Sequence, residues 1–425
     1  ERLAAEAVVP PAPWPDAVRA ALVDLLLTGH RAIPVIESLD QLGLWVHVFP
    51  EWSAVRSKPQ RNAYHTYTVD RHLVEAAANS ASLAGRTDRV DLLVLGALLH
   101  DIGKGFPGDH TEVGIDLVAG IGARMGLPPE DVQVLQTMVR HHLLLPDVAT
   151  RRDLDDATTI TAVADAVGDQ RTLSLLGALT EADSLATGPA AWGRWKSDLV
   201  RDLVRRTTHV LGGGSPEEVR EDFPTAEHLA LLGAGQQVLH GDGDRLTVVT
   251  QDRPGLFSRV TGVCALHGLG VLDAAITTVD GMALEVLRVE SSFGPTIQWD
   301  KVVPDLESAI DGRLALQARL AERARVYSPR KPTAPATEPP RVLVDNTASL
   351  GATVVEVHAT DAMGVLYRIT RALSELDLDI VSAKVQTLGD RVVDAFYVRG
   401  PGGGKLEDPA VLVEIERALL HELAG

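Results

Sequence analysis

Apolar positions recur at helical spacing through the first half of the chain and change to strand-like alternation in the second. Val18, Leu22, Leu25 and Leu26, then Val35, Leu39 and Leu42, predict helices between residues 16 and 48, behind a proline-rich opening from Val9 to Pro15. From about residue 61 to 210 helix follows helix, and Leu127-Pro128-Pro129-Glu130 marks one start because proline is tolerated in a first helical turn. The run Leu211-Gly212-Gly213-Gly214-Ser215-Pro216 ends this helical region. Beyond residue 243 the pattern becomes strand, sharp turn, helix, two alternating strands and helix, and it occurs twice.

The second occurrence is a copy of the first. Asp252-Arg253-Pro254-Gly255-Leu256-Phe257-Ser258-Arg259-Val260 aligns without a gap on Asp361-Ala362-Met363-Gly364-Val365-Leu366-Tyr367-Arg368-Ile369, at an offset of 109 residues. The same offset carries Leu269 onto Leu378, Val271 onto Ile380, Ala274 onto Ala383, Thr278 onto Thr387 and Val289 onto Val398. Strands over 245–251 and 352–360 each lead into a helix, and the order βαββα with a parallel crossover is the ferredoxin-like plan. A proline-rich linker, 329–340, separates the copies. No strand signal follows the last helix at 408–423, which leaves Arg341-Val342-Leu343-Val344-Asp345 as a candidate edge strand.

Composition narrows the classes. At 425 residues, 45% hydrophobic and 23% charged, the chain has room for two to four folded domains. A formal charge of −18 argues against a nucleic-acid surface, which needs clustered Lys and Arg. The single cysteine, Cys264, excludes an internal disulfide and fits a reducing compartment. No apolar run approaches membrane-spanning length and no leader pattern opens the chain, so it is read as cytoplasmic, with neither membrane nor nucleic acid as partner.

Candidate chemistry concentrates in the helical region, where six of the fourteen histidines fall between His65 and His142. The apolar run Leu92 to Leu99 delivers His100-Asp101-Ile102-Gly103-Lys104, adjacent imidazole and carboxylate ligands followed by a glycine break. A divalent ion on nitrogen and oxygen ligands turns water into a nucleophile at neutral pH and neutralises a phosphate leaving group. His65, His110, His142 and Asp183 complete an H…HD…H…H…D series. His72 follows His65 by seven residues, which on one helix separates them by roughly 10 Å and excludes His72 from a shared ion. His141 and His142 stand about 100° apart on a helix, so one of them points inward. Lys104, one turn beyond the His-Asp pair, is in reach of a substrate phosphate or is a solvated lysine at a helix end.

The series resembles the HD phosphohydrolase superfamily. That resemblance implies an all-α domain holding one or two divalent ions, Mn²⁺ or Mg²⁺ in preference and Fe²⁺ as an alternative, since no thiol is at hand. The implied ligands are His65, His100, Asp101, His110, His142 (rather than His141) and Asp183, with Asp101 bridging two ions and Asp101 and Lys104 acting catalytically. The duplicated turn resembles the ACT regulatory domain, in which a glycine at a helix N-terminus admits an amino-acid carboxylate. Its implied ligand contacts are Asp252, Pro254, Gly255, Leu256, Asp361, Gly364 and Val365, weighed against a plain helix-starting turn and a packing or dimerising role.

The fold class expected is thus multidomain: an all-α HD-type metallohydrolase domain followed by two α+β ferredoxin-like (βαββαβ) ACT domains. The divisions are a helical lead-in and linker (1–60), the HD domain (61–215), a connector (216–242), the first ACT domain (243–328), linker and strand (329–350) and the second ACT domain (351–425). This order is similar to the C-terminal portion of the bacterial bifunctional uridylyltransferase/uridylyl-removing enzymes that act on the PII nitrogen-signalling protein. Pro50-Glu51-Trp52, Tyr64-His65-Thr66-Tyr67-Thr68-Val69-Asp70-Arg71-His72, Gly108-Asp109-His110, Arg151-Arg152-Asp153, Trp192-Gly193-Arg194-Trp195-Lys196 and Val344-Asp345-Asn346 carry the likeness.

What that resemblance implies is removal of a uridylyl or adenylyl group from PII, glutamine sensed at the ACT pair, and an ACT-mediated homodimer as one mode of assembly. The glycine-serine phosphate loop of the family's transferase domain is not found, and the chain opens at Glu1 without an initiator methionine, so transferase activity is not expected of this portion. Two other readings stand beside it: an HD hydrolase of a signalling nucleotide such as guanosine tetraphosphate, which in its family carries one ACT domain rather than two, and a non-catalytic amino-acid-sensing regulator.

Overall fold

A computed structural model describes residues 7–60, 65–188, 191–294, 296–327, 339–388 and 391–424. Contacts divide the chain into two units, residues 1–149 with 160–219, and residues 150–159 with 220–425. The proline-rich linker over 329–338 lies outside the described residues. Among the described residues no helix is long and apolar enough to cross a membrane.

The first unit is all helical. Its centre is α2 (Val90–Leu99), in which every residue from Leu92 to Leu99 is buried. A helix apolar on all sides must be surrounded, and α2 packs against α1 (Val69–Ala81), α4 (Pro129–His141) and α5 (Gln170–Thr187). Close approach depends on Gly96, where a Cβ would collide with the Met138 side chain. Between α2 and α4 in sequence, α3 (His110–Met125) starts at Asp109, whose carboxylate accepts from the backbone N–H groups of Thr111 and Glu112 at 2.9 and 3.1 Å.

The second unit contains one eight-stranded antiparallel sheet in the order β1-β2-β4-β3-β7-β8-β6-β5. The first copy supplies β1 (Val238–Asp242), β2 (Arg245–Gln251), β3 (Leu269–Val279) and β4 (Met282–Ser291). The second supplies β5 (Arg341–Asp345), β6 (Thr353–Thr360), β7 (Asp379–Leu388) and β8 (Arg391–Arg399). Helices α6 (Leu256–Leu266), α7 (Trp299–Ile310) and α8 (Leu316–Tyr327) belong to the first copy and its exit, α9 (Val365–Glu375) and α10 (Pro409–Ala424) to the second.

A pseudo-dyad relates the copies. Ala274 pairs with Ala383 where β3 meets β7, and the hydroxyls of Thr261 and Thr370, 109 residues apart, are 3.2 Å from each other where α6 crosses α9. The strand irregularity at Val271/Asp273 recurs at Ile380/Ser382.

The edge strand of each copy comes before, not after, its βαββα core: β1 pairs with β2, and β5 with β6. The candidate strand 341–345 is therefore an edge, and the residues expected as the tail of a connector up to 242 contain its counterpart. Each edge is a hairpin partner of the strand that follows, so a short turn suffices to place it. Residues 150–159, expected inside the helical domain, group with the second unit, where Arg152 donates to Glu356 at 2.9 Å and the Asp153 N–H to the Tyr397 hydroxyl at 2.6 Å.

On the helix-facing side of the sheet the two copies bury equivalent carboxyls, Glu285 on β4 and Asp394 on β8, 1% and 0% exposed. Glu285 Oε2 has no hydrogen-bond partner, and the backbone of Gln386 eases the burial of Asp394. Burial, with Asp252 and Asp361 respectively adding repulsion, pushes each up to about 8. From about pH 4, where the unfolded groups ionise, to about pH 8, the unfolded chain has released protons that the folded chain keeps, so stability falls as pH rises. The double variant Glu285→Gln/Asp394→Asn is expected to show a melting temperature that declines less across this window than that of the wild type; an equal decline would mean that neither acid is held neutral by the fold.

Candidate metal centre

Three features of the helical unit converge on one point: the end of α2, the first turn of α1 and the C-terminal half of α5. His100 caps α2, and Asp101 leads into the 3₁₀ turn Ile102–Gly105. That turn lies against the start of α3, because a Cβ on Gly103 would overlap the backbone carbonyl of His110. Gly103 thus brings His110 to the site, while α4 ends beside it and supplies His142.

Two groups of three ligand atoms result, His72, His100 and Asp183 in one and Asp101, His110 and His142 in the other, each within 4.8 Å internally. In the first, His72 Nε2 is 3.3 Å from His100 Nε2 and 3.0 Å from Asp183 Oδ1. The carboxylate of Asp101 divides between the groups: Oδ2 lies 3.5 Å from His100 Nε2 and 3.8 Å from His72 Nε2, and Oδ1 lies 3.6 Å from His142 Nε2 and 4.0 Å from His110 Nε2. Ligands about 2.1 Å from a common ion stand roughly 3–4 Å apart, so these spacings fit a divalent cation in each group. The donor chemistry fits as well, since imidazole nitrogens and carboxylate oxygens alone are present.

The surroundings orient the rings. His100 Nδ1 is 2.9 Å from the Ala97 carbonyl and His142 Nδ1 is 2.7 Å from that of Val139, which places the proton on Nδ1 and leaves Nε2 free toward the site. Asp101 Oδ1 is buried with no hydrogen-bond partner, an orphan that a cation would satisfy. Burial opposes charge throughout, yet Asp101 and Asp183 raise His100 to about 10, and His100 in turn holds both carboxyls well below their usual range against the burial penalty. Burial, with the Lys104 ammonium and His72 next, pulls His65 down to about 4, and burial lowers His142. Lys104 Nζ is 2.5 Å from Asp101 Oδ2 and also donates to Gln60 Oε1 at 3.2 Å.

The geometry overturns the exclusion of His72. His65 precedes α1 rather than lying on it, so helical rise does not separate the pair; the two ring centroids are 5.4 Å apart. The lead-in is tied to the end of α5 by the Thr66 N–H, which donates to the Thr187 carbonyl at 3.0 Å. His72 occupies the first ligand group and His65 flanks it. The signal was available in Val69-Asp70-Arg71-His72, where Thr68 opens the helix and places His72 in its first turn facing inward. His141 carries no ligand atom in either group.

In the second unit, the duplicated turns hold Gly255 and Gly364 at φ of 75° and 74°, a conformation that favours glycine. The side chains of Leu256 and Val365 point into the hydrophobic core, and their N–H groups already donate to Arg253 and Ala362. Both side chains thus serve the core, and both N–H groups the turn itself. Asp252 accepts from the Thr278 hydroxyl at 3.1 Å. A cavity of about 760 Å³ is bordered by Pro254 and Gly255 but by none of Asp252, Asp361, Gly364 and Val365.

His72→Ala is expected to lower Mn²⁺ affinity by roughly 10- to 100-fold, and His65→Ala to change it by less, as calorimetric titration would show; the reverse order would make His65 the ligand.

Residues 69–169 match the HD domain family and residues 348–424 the N-terminal ACT domain of the ACR family. A protein from Streptomyces coelicolor named bifunctional uridylyltransferase/uridylyl-removing enzyme is 43% identical over 453 residues, covering 94% of this chain and 54% of that protein. One of the same name from Mycobacterium tuberculosis is 41% identical over 418 residues (94% and 51%), and one from Gluconobacter oxydans 35% over 466 residues (93% and 49%). The chain spans about half the length of the curated relatives it matches. The chain thus carries an HD domain match followed by an ACT domain match, and over most of its own length it is similar to about half the length of proteins named bifunctional uridylyltransferase/uridylyl-removing enzyme.

Proposed function

We propose that this chain removes a nucleotidyl group from a tyrosine of PII by metal-dependent phosphodiester hydrolysis, and that glutamine bound at the ACT pair regulates it. The observation that carries the hydrolytic reading is the division of one buried carboxylate, Asp101, between two complete sets of nitrogen and oxygen ligands. Mn²⁺ or Mg²⁺ suits these donors, with Fe²⁺ as the alternative. A bound divalent ion supplies an activated water and neutralises charge on the phosphate.

The residues do the rest. His72, His100, Asp183, Asp101, His110 and His142 would hold the ions. Lys104, 24% exposed and already on Asp101, is positioned to turn its ammonium to a non-bridging phosphate oxygen. His65, kept neutral by burial, adds no positive charge at the rim. The names of the relatives support uridylyl as the group removed, and the PII substrate and the glutamine effector rest on the family resemblance.

The test is incubation of the chain and Mn²⁺ with uridylylated and with adenylylated PII, following release of nucleoside monophosphate. Wild type is expected to release it from at least one of the two, and Asp101→Asn to lose about 100-fold or more in rate. Hydrolysis of guanosine tetraphosphate with both PII forms left intact would overturn the substrate assignment.

A further inference from the structure

The ligands of the metal centre come from α1 to α5, but the ammonium beside them is held from elsewhere. Residues 50–60 reach it from the chain ahead of α1. Trp52 and Val55, 2% and 0% exposed, anchor this stretch in the core. Its 3₁₀ turn Pro50–Ala54 lies flush against the turn that carries Lys104, since a Cβ on Gly105 would overlap the Ala54 backbone. Lys58 then ties the stretch on two sides: its Nζ donates to the Lys104 carbonyl at 2.6 Å, and its own carbonyl accepts from the Val69 N–H at 2.9 Å. Two residues on, Gln60 Oε1 accepts from Lys104 Nζ at 3.2 Å.

The chemistry of that contact is one-sided. An ammonium only donates, so it fixes the Gln60 amide with its oxygen toward Lys104. Nε2 is then buried, and among the described residues it has no hydrogen-bond partner. Burying an amide with one end unsatisfied is unfavourable, and the ammonium contact at Oε1 is what offsets it. Asp101 Oδ2, the nearer partner of Nζ at 2.5 Å, also faces His100 and His72 of the first ligand group. A divalent ion in that group and an ammonium on the same oxygen repel each other. Lys104 must then leave Asp101, and at 24% exposure its side chain has open water to move into. Gln60 offers a nearer stop: a neutral carbonyl, already in contact, on a backbone fixed from two sides.

We propose that Gln60 is the positioning residue for Lys104: its carbonyl receives the ammonium when a divalent ion takes Asp101 Oδ2, and keeps that charge in the site for the substrate phosphate. The inference rests on the reading of the site as a metal-dependent hydrolase, and adds to it a residue that none of the ligand-bearing helices carries.

The test is calorimetric titration of the metal-free whole chain with Mn²⁺, using wild type, Gln60→Ala, Lys104→Met and the double variant. Gln60 is half-buried, so its truncation leaves the core intact. Without the receiving carbonyl the ammonium competes for Asp101, and Mn²⁺ affinity is expected to fall about fivefold or more in Gln60→Ala. Lys104→Met removes the competitor, so it should bind Mn²⁺ at least as tightly as wild type, and adding Gln60→Ala to it should change nothing further. Release of nucleoside monophosphate from nucleotidylated PII at saturating Mn²⁺ should follow the same pattern, with Gln60→Ala about tenfold slower than wild type but without effect in the Lys104→Met background. Equal Mn²⁺ affinity in wild type and Gln60→Ala, or an equal loss with and without Lys104, would overturn the inference while leaving the metal centre in place. No Mn²⁺ bound by wild type would overturn the metal-centre reading, and the inference with it.

Discussion

Everything in the helical unit serves one buried carboxylate. Asp101 is 2% exposed, and an ionised acid withdrawn from water is costly unless cations or strong donors surround it. Here the compensation comes from four imidazoles and one ammonium within 4.0 Å of its two oxygens. The oxygens face different ligand sets, so neutralising the acid and gathering two metal sites are the same structural problem. Imidazoles so close together would repel one another if several of them carried a proton.

Such convergence needs rigid supports brought unusually near. The apolar α2 is enclosed on all sides, so the His100-Asp101 pair leaves the core from a fixed point. Gly96 and Gly103 each sit where a Cβ would collide, with Met138 and with the His110 backbone. Packing density transmits such a collision rather than absorbing it. The glycine of the His-Asp-Ile-Gly run is thus a spacing element for the next ligand, more than a flexible joint.

The sheet unit shows how a duplication can preserve a fold while dividing its roles. Sheet order, strand irregularities and the buried acids Glu285 and Asp394 repeat faithfully about the pseudo-dyad. These belong to the shared interior, where a change in one copy would disturb the other through β3, β7, α6 and α9. The surfaces flanking the turns are free of that constraint, and there the copies differ, with charge on α9 and small apolar residues on α6. Joining both halves of the sheet in one chain also means that a second copy of the chain is not needed to complete it.

Local order along the chain determined the helical and α+β regions, the duplication with its offset, and the His-Asp run behind its apolar helix. These depend on periodicity and on turn chemistry, which neighbouring residues express by themselves. The tertiary structure puts His72 in the first ligand group with His65 beside it, because which of two histidines stands nearer a site depends on where a helix begins and how the preceding segment folds back onto α5. It likewise decided that the edge strands precede their cores, that residues 150–159 group with the sheet unit, and that Leu256 and Val365 face the core. Strand pairing and burial are relations between segments far apart in the chain, so no local pattern carries them. The cleft beside Gly255 is the clearest instance, since its walls come from three separate elements.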